Sequence, residues 1–292
     1  MSVSQINSSQ SIGNIDRINE YNKGIGNNFN KKFVKIVDMS QTQILKITES
    51  LGLGGSKHAW KLENGQALIV PNTALENLAK TDLKNWSRIV KEEVEMSKFL
   101  TQVDILNPRS EQVSLSFIYD GKECTIPAYT SQSFQTLAEQ ENLFVVDCKN
   151  HKSSTWRGQD LFASKQERVD LKNWDALVMP LVEDMKKIVK YDIPNNSDSS
   201  NYAIQKTTEG YSVRYFGFDF SSKHSPLRIP TLSQKDSGMA TGCFCRIVDS
   251  VVNYEFHLWG DEDTNPDFNY SEARKYADEI DETLVQKYRP VF

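Results

Sequence analysis

The feature that most constrains the fold is a predicted β-hairpin with polar residues at its open end. Alternating apolar side chains predict strands over Tyr202–Lys206 and Tyr211–Phe218, and the Thr-Glu-Gly sequence between them is typical of a turn. In an antiparallel pair, the residue that enters the first strand lies near the residue that leaves the second. The sequence therefore predicts that Asn201 and Asp219 meet at one end of this hairpin.

The oxygen atoms of these two side chains suit a divalent metal ion. Carboxylate and amide oxygens are the ligands that hard cations such as Mg²⁺ and Mn²⁺ prefer. Asp198 lies in the polar loop before the hairpin and would orient or deprotonate an attacking hydroxyl group. An ordinary turn is the alternative interpretation, because Asn, Ser and Asp are common loop residues. We predict that Asn201 and Asp219 hold the metal and that Asp198 is the catalytic base or the group that orients the nucleophile.

A second candidate site is the glycine-rich segment at residues 51–57, between two predicted strands. Glycine lets backbone amides approach a phosphate group closely and tolerates positive φ. Gly52, Gly54 and Gly55 therefore predict a loop that folds over the phosphates of a nucleotide. A glycine-rich turn that only connects two strands is the alternative.

A carboxylate on a predicted helix belongs to the same candidate site. Apolar side chains at steps of three and four predict a helix over Trp86–Leu100, and Glu93 lies on its apolar stripe. A carboxylate on an inward face needs a cation, so we expect Glu93 to take part in an ion pair that positions a nucleotide. Two alternatives stay open: Glu93 is solvated at the edge of the face, or the helix phase makes Glu92 the inward residue.

In order and spacing, these features resemble the protein-kinase superfamily, in particular the divergent effector kinases that intracellular bacteria secrete into host cells. The resemblance covers about residues 44–223. It implies an α+β, bilobal protein-kinase-like fold, with a small β-rich N-lobe that contains one helix and a mixed, mainly helical C-lobe. It also implies an atypical Ser/Thr protein kinase that uses ATP and Mg²⁺ or Mn²⁺, acts on a protein substrate and works in the host cytoplasm.

The resemblance gives each candidate residue a role. It matches the glycines to the loop that covers the phosphates of ATP, Glu93 to the helix glutamate, Asp198 to the catalytic aspartate, and Asn201 and Asp219 to the metal ligands. The family also has a lysine on its third strand, whereas residues 67–72 contain none. Lys57 or Lys61 on the preceding strand would replace it, and Lys57 is our first choice.

Other departures from the family pattern leave alternatives open. The chain has no His-Arg-Asp sequence, and Asp198 lies closer to Asn201 than in the family, so Asp192 is an alternative base. Asp219 is followed by Phe220 where the family has Phe and then Gly. A pseudokinase that binds a partner without catalysis is therefore one alternative function. An enzyme of the same fold that transfers AMP, or that phosphorylates a lipid or small molecule, is another.

The chain is predicted to begin with a flexible polar leader at residues 1–30, followed by an N-lobe at 31–148 and a C-lobe at 149–292. Further strands are predicted at Phe33–Val37, Ile44–Thr48, His58–Leu62, Ala67–Val70, Val113–Tyr119, Cys124–Pro127 and Leu143–Asp147. Further helices are predicted at Phe134–Gln140, Trp174–Val189 and Tyr270–Tyr288. Residues 241–258 look strand-like or mixed, and a strand there would place Cys243 and Cys245 on one sheet face rather than in a metal site.

Composition narrows the range of partners. A net charge of −5 over 292 residues gives no general reason to expect nucleic-acid binding. The longest nearly continuous apolar run, Ala176–Val182, is too short to span a bilayer, and the polar N-terminus lacks the pattern of a Sec signal peptide. We therefore expect a soluble protein without a transmembrane segment.

Two groups of basic residues predict an anionic ligand. They consist of Lys186, Lys187 and Lys190 at the end of one predicted helix, and of Lys149, Lys152 and Arg157 in the segment between the lobes. An inositol polyphosphate or a phosphoinositide headgroup would suit such groups, and inositol hexakisphosphate is a candidate activator. A solvated helix end, whose lysines complement the helix dipole, is the alternative for the first group.

Overall fold

The computed structural model describes residues 17, 33–38, 42–53, 57–71, 83–119, 122–147, 174–193, 201–208, 210–217, 240–245, 247, 248, 251 and 270–288. The chain divides into two compact units. The first comprises residues 1–95 and 109–133, and the second comprises 96–108 and 134–292. The predicted leader and lobe boundaries stay predictions. Within the predicted leader the structure describes Arg17, whose guanidinium donates to both carboxylate oxygens of Glu63, at 2.8 and 3.1 Å.

The first unit is built on a closed antiparallel barrel with the strand order β1-β2-β3-β4-β6-β5. Its strands are β1 (Phe33–Val37), β2 (Thr42–Leu53), β3 (Lys57–Leu62), β4 (Gln66–Pro71), β5 (Ser110–Tyr119) and β6 (Lys122–Gln132). Strand β1 pairs with β2 on one side and with β5 on the other, where Lys35 lies opposite Ser116. This second pairing closes the sheet.

Side chains on one face of the strands fill the barrel, and those on the other face pack against one helix. Trp60 and Leu62 of β3 pack into the barrel core, whereas Ala59 faces the opposite side of the sheet. Helix α1 (Leu83–Gln102) covers that outer side, so Ala67 and Ile69 of β4 are buried beneath it. A strand that is buried on both faces reads as a continuous apolar run, which explains the Ala-Leu-Ile-Val sequence of β4.

The second unit combines a three-stranded antiparallel sheet, β7-β8-β9, with helices. Its elements with full bounds are α2 (Phe134–Glu141), β7 (Leu143–Asp147), α3 (Trp174–Tyr191), β8 (Asn201–Thr207), β9 (Gly210–Tyr215) and α4 (Tyr270–Tyr288). Leu181 and Met185 of α3 pack with Ile204 and Val213 of the sheet in one buried core. The β8–β9 pair confirms the predicted hairpin.

Three helices end on a residue with positive φ that is not glycine. Asp104 follows α1, Asn142 follows α2 and Asp192 follows α3, with φ values of 56°, 49° and 52°. Aspartate and asparagine tolerate this left-handed conformation better than most residues with a side chain. After α3, the N–H of Ile193 donates to the carbonyl of Ile188 at 3.1 Å, which is the long hydrogen bond of a Schellman motif.

The predicted bilobal protein-kinase-like fold is wrong. The N-terminal half is a closed six-stranded antiparallel barrel with few helices, which is not the small N-lobe of a typical bilobal kinase. The physical reason lies in strand length. Strand β2 has 12 residues and β6 has 11, whereas the predicted strands Ile44–Thr48 and Cys124–Pro127 are much shorter. Long strands that tilt and twist can bring β1 against β5 and close the barrel.

Of the two interpretations of residues 241–258, strand-like or mixed, the strand is wrong where the structure describes this segment. Residues 240–245, 247, 248 and 251 are helical. Cys243 is buried and Cys245 is exposed, so the two thiols do not share one sheet face. Among the described residues, no helix is both long and apolar enough to cross a membrane.

Candidate functional site

Strand β3 presents Lys57 to the helix-covered side of the barrel. Successive residues of a strand point to opposite faces, so Lys57 shares its face with Ala59 and not with Trp60. Ala59 packs against the helix-covered cluster, whereas Trp60 packs inside the barrel. Lys57 is the first residue of β3 and lies opposite Pro71 in β4. Its side chain is 11% exposed.

Helix α1 brings Glu93 to this lysine. Glu93 follows Trp86, Ile89 and Val90 along the buried stripe of the helix, and its side chain is 6% exposed. The Nζ atom of Lys57 donates to Oε1 of Glu93 at 2.7 Å. The structure therefore joins the glutamate predicted from helix periodicity to a lysine at the end of the glycine-rich segment.

The competing carboxylate and lysine have other partners. Glu92 accepts from Arg88 at 2.6 Å in an ion pair one turn apart on the exposed side of α1. Lys61 lies 3.5 Å from Glu49, which is 55% exposed. Neither residue takes part in the buried Lys57–Glu93 pair.

The glycines and the hairpin residues are described in part. Gly52 lies in β2 opposite Ala59, and a side-chain carbon there would meet no atom within 4 Å. Gly54 and Gly55 lie outside the described residues. In the second unit, the backbone of Asn201 begins β8 opposite Asp147, and Tyr202 pairs with Tyr215 near the end of β9.

The proposed base and metal ligands lie largely outside the described part. Asp198 and Asp219 are not described, and Asn201 is placed through its backbone alone. The start of β8 lies opposite the end of β9, and the meeting of Asn201 with Asp219 stays a prediction. Among the side chains that the structure describes, no three His, Cys, Asp or Glu residues are grouped so that they could hold a metal ion.

Asp192 has a structural position at the end of α3, where its φ is 52°. We expect Asp192→Gly to raise the free energy of unfolding by about 0.5–1 kcal/mol, since relief of left-handed strain exceeds the added flexibility of the unfolded chain. Urea unfolding would measure this change. Retained catalytic activity in the same variant would exclude Asp192 as the base, whereas loss of activity with gained stability would favour it over Asp198.

A buried ionic network in the second unit was not predicted from the sequence. Asp184 of α3 is 1% exposed and accepts from Nε and Nη2 of Arg214 in β9, at 2.7 and 3.0 Å. It also accepts from the backbone N–H of Tyr215 at 3.1 Å. The guanidinium and Nζ of Lys187 both donate to the carbonyl oxygen of Asp104, at 2.9 and 2.8 Å. The network ties α3 and β9 to the end of α1.

Burial raises the pKa values of two acidic groups at this network. Desolvation raises the pKa of Asp184, although the hydrogen bonds and charge of Arg214 act in the opposite direction. Burial also raises the pKa of the Tyr215 hydroxyl, and the nearby Cys243 and Asp184 add to the shift. The tyrosine therefore stays neutral at physiological pH.

The lysines at the end of α3 have partners within the second unit. Lys186 donates to Glu183 and Glu279, both at 3.1 Å. Burial lowers the pKa of Lys186, but these two carboxylates outweigh it, and the pKa is raised overall. Lys190 lies 5.1 Å from the centre of the Tyr191 ring. The second predicted basic group, at residues 149–157, lies outside the described residues.

Comparison of the chain with protein-family models, curated proteins and solved structures finds no match. Function resides in the chemistry of a site, and one fold can carry many activities. The buried pair of Lys57 and Glu93 is therefore the main basis for a functional proposal.

Proposed function

We propose that this protein is an ATP-dependent phosphotransferase, specifically an atypical Ser/Thr protein kinase. The observation that supports the proposal is the ion pair between Lys57 and Glu93, with Nζ and Oε1 separated by 2.7 Å. The lysine comes from the strand that follows the glycine-rich segment, and the glutamate comes from the helix that covers the sheet. Both residues were selected from the sequence as nucleotide-binding candidates.

The energetics of the pair favour a functional role. Removing two charges from water costs several kcal/mol per ion, and a buried ion pair is often no more stabilising than apolar residues of similar size. A cation held in one position is valuable for phosphoryl transfer, which depends on positioning and on stabilising negative charge. We infer that Glu93 fixes the ammonium of Lys57 and that this ammonium binds the phosphates of ATP.

The remaining residues complete the proposed chemistry. Gly52, Gly54 and Gly55 would let backbone amides approach the phosphates. Asp198 would take the proton from the acceptor hydroxyl, and Asn201 and Asp219 would hold Mg²⁺ or Mn²⁺, which neutralises charge on the transferred group.

The biological setting is a proposal that rests on the resemblance to secreted effector kinases. The protein would act in a host cell after secretion by a bacterium, with an unidentified protein as substrate. Inositol hexakisphosphate would activate it. Lys149, Lys152 and Arg157 are the preferred anchors for this anion, because Lys186 and Lys187 already contact carboxylates.

The test is incubation with ATP labelled at the γ or at the α phosphate, with Mg²⁺ or Mn²⁺, and with or without inositol hexakisphosphate. We expect γ-label alone to reach protein, with loss of transfer in Asp219→Ala. Transfer of α-label would instead establish AMP transfer. ATP binding without any transfer would favour a pseudokinase, and absence of ATP binding would contradict the proposal altogether.

A further inference from the structure

Three side chains meet where β2 and β3 pair. The hydroxyl of Ser50 lies 2.8 Å from Nε2 of His58, and Nε1 of Trp60 donates to the same nitrogen at 2.9 Å. The Trp60 and His58 rings also contact each other edge to face, with centroids 5.0 Å apart. We call these three residues the Ser50 cluster. It belongs to the first unit and to neither the ion pair nor the hairpin already discussed.

The hydrogen bonds fix the tautomer of His58. The indole N–H of Trp60 can only donate, so Nε2 of His58 must be an acceptor and carries no hydrogen. The hydroxyl of Ser50 must then be the donor in its contact with Nε2, and it shares the single lone pair of that nitrogen with the indole N–H. A hydroxyl that directs its proton to an unprotonated imidazole nitrogen at 2.8 Å has the geometry of a nucleophile with a general base.

Ser50 is also accessible, and its strand is irregular on both sides. The residue is exposed. The β2–β3 register shifts between Ile47 and Glu49, and again between Ser50 and Gly52. Bulges interrupt the ladder of backbone hydrogen bonds and re-aim side chains. The segment around Ser50 is therefore held less regularly than the rest of β2 and can present its hydroxyl to an electrophile.

We propose that Ser50 is an activated nucleophile that accepts a phosphoryl group, with His58 as its base. The proposal of phosphate transfer from ATP rests on the proposed function. The oxygen of Ser50 forms a bond to the γ-phosphorus, and the bond from that phosphorus to the β,γ-bridging oxygen breaks. ADP leaves with the electron pair, and the hydroxyl proton moves to Nε2 of His58.

Modification would then rearrange the cluster. A phosphoserine dianion beside His58 favours the protonated imidazole, whose Nε2–H donates to a phosphate oxygen. Nε2 can no longer accept from Trp60, so the indole loses this hydrogen bond. Because Gly52 follows Ser50 by two residues, the change occurs beside the glycine-rich segment. Phosphorylation of Ser50 would thus regulate the proposed phosphate-binding segment.

Two reagents applied to the full chain test the proposal separately from the proposed function. A fluorophosphonate probe reports an activated serine without ATP, and γ-labelled ATP with Mg²⁺ or Mn²⁺ reports phosphoryl transfer. Peptide mass spectrometry locates each product. The variants are Ser50→Ala, His58→Gln and the control Thr48→Ala, since the Thr48 hydroxyl on the same strand donates to the carbonyl of Lys61 at 3.1 Å and has no base.

We expect both reagents to modify Ser50 in the wild type and in Thr48→Ala, and the probe reaction to fall about 100-fold in His58→Gln. The proposal would be overturned if the probe reacts with Ser50 equally well in the wild type and in His58→Gln and if Ser50 carries no phosphate. This holds even if other proteins are phosphorylated. A probe reaction that depends on His58, without any transfer from ATP, would contradict the proposed phosphotransferase activity. It would still support Ser50 as an activated nucleophile.

Discussion

Lys57→Met is expected to lower phosphoryl transfer by about 100-fold or more and to lower the free energy of unfolding by about 3–5 kcal/mol. The first effect follows from loss of the proposed phosphate-binding ammonium. The second follows because Glu93, 6% exposed, keeps a buried charge without its present partner. Transfer assays and urea unfolding measure the two effects independently.

Lys61→Met is the matched control for this substitution. Lys61 belongs to the same strand and faces the same side, but its partner Glu49 is 55% exposed. An exposed pair of this kind contributes about 0–1 kcal/mol, so both activity and stability should stay close to those of the wild type. Equal losses in the two variants would contradict the special role of Lys57.

A double variant separates structure from chemistry at this site. Lys57→Met with Glu93→Leu replaces the ion pair by two apolar side chains of similar volume under α1. Such replacements are often neutral or stabilising by about 1–4 kcal/mol, so we expect stability to recover. Activity should stay at the level of Lys57→Met. Recovery of activity together with stability would mean that the pair only supports the fold. It would contradict the proposed role of the pair in nucleotide binding.

Local pattern predicted most individual elements of this fold. The β8–β9 hairpin and the whole of β7 were predicted because alternation and turn residues act over short distances. Closure of the barrel depends on the pairing of β1 with β5, about 80 residues away along the chain. No local signal encodes that pairing. The apparent ends of β2 and β6 were also misplaced, because polar residues on an outward face weaken the apolar pattern.

The sequence likewise predicted those residues of the candidate site that follow a local pattern. Helix periodicity placed Glu93 inward, and strand alternation places Lys57 on the facing side of β3. The buried carboxylate of Asp184 left no comparable signal, although it too lies on an inward helix face. Its partner Arg214 is 30 residues away in the chain and looks like an ordinary polar position of a strand. The ion pair between Asp184 and Arg214 is therefore visible only in the folded structure.

Asp184→Leu is expected to lower the free energy of unfolding by about 3 kcal/mol or more. The substitution removes the two carboxylate oxygens that accept from the Arg214 guanidinium, one of which also accepts from the Tyr215 N–H. Arg214 is 14% exposed, so its charge would stay largely buried. The contact between its Nη2 and the carbonyl of Asp104 compensates in part. The expected loss of stability is therefore near the lower end of the losses that follow when a buried ion pair is broken.

Glu183→Gln is the control for this site, because the neighbouring Glu183 is 57% exposed and pairs with Lys186 at the surface of α3. We expect it to change stability by less than about 0.5 kcal/mol. Addition of Arg214→Met to Asp184→Leu should restore part of the loss, since no buried charge then remains. Failure of the second substitution to restore stability would show that the carboxylate acts through packing or through the Tyr215 N–H instead.

The raised pKa of Asp184 gives the network a defined pH dependence. Because burial raises the pKa in the folded state, the folded chain holds this proton more tightly than the unfolded chain does. The proton-linked part of the contribution of Asp184 to stability is therefore complete below the ordinary carboxyl pKa of about 4 and is lost as the pH rises through the raised value. Asp184→Asn cannot titrate, so the stability of the wild type relative to this variant should fall across that range. A difference that grows with pH would mean that Arg214 dominates over burial and lowers the pKa of Asp184.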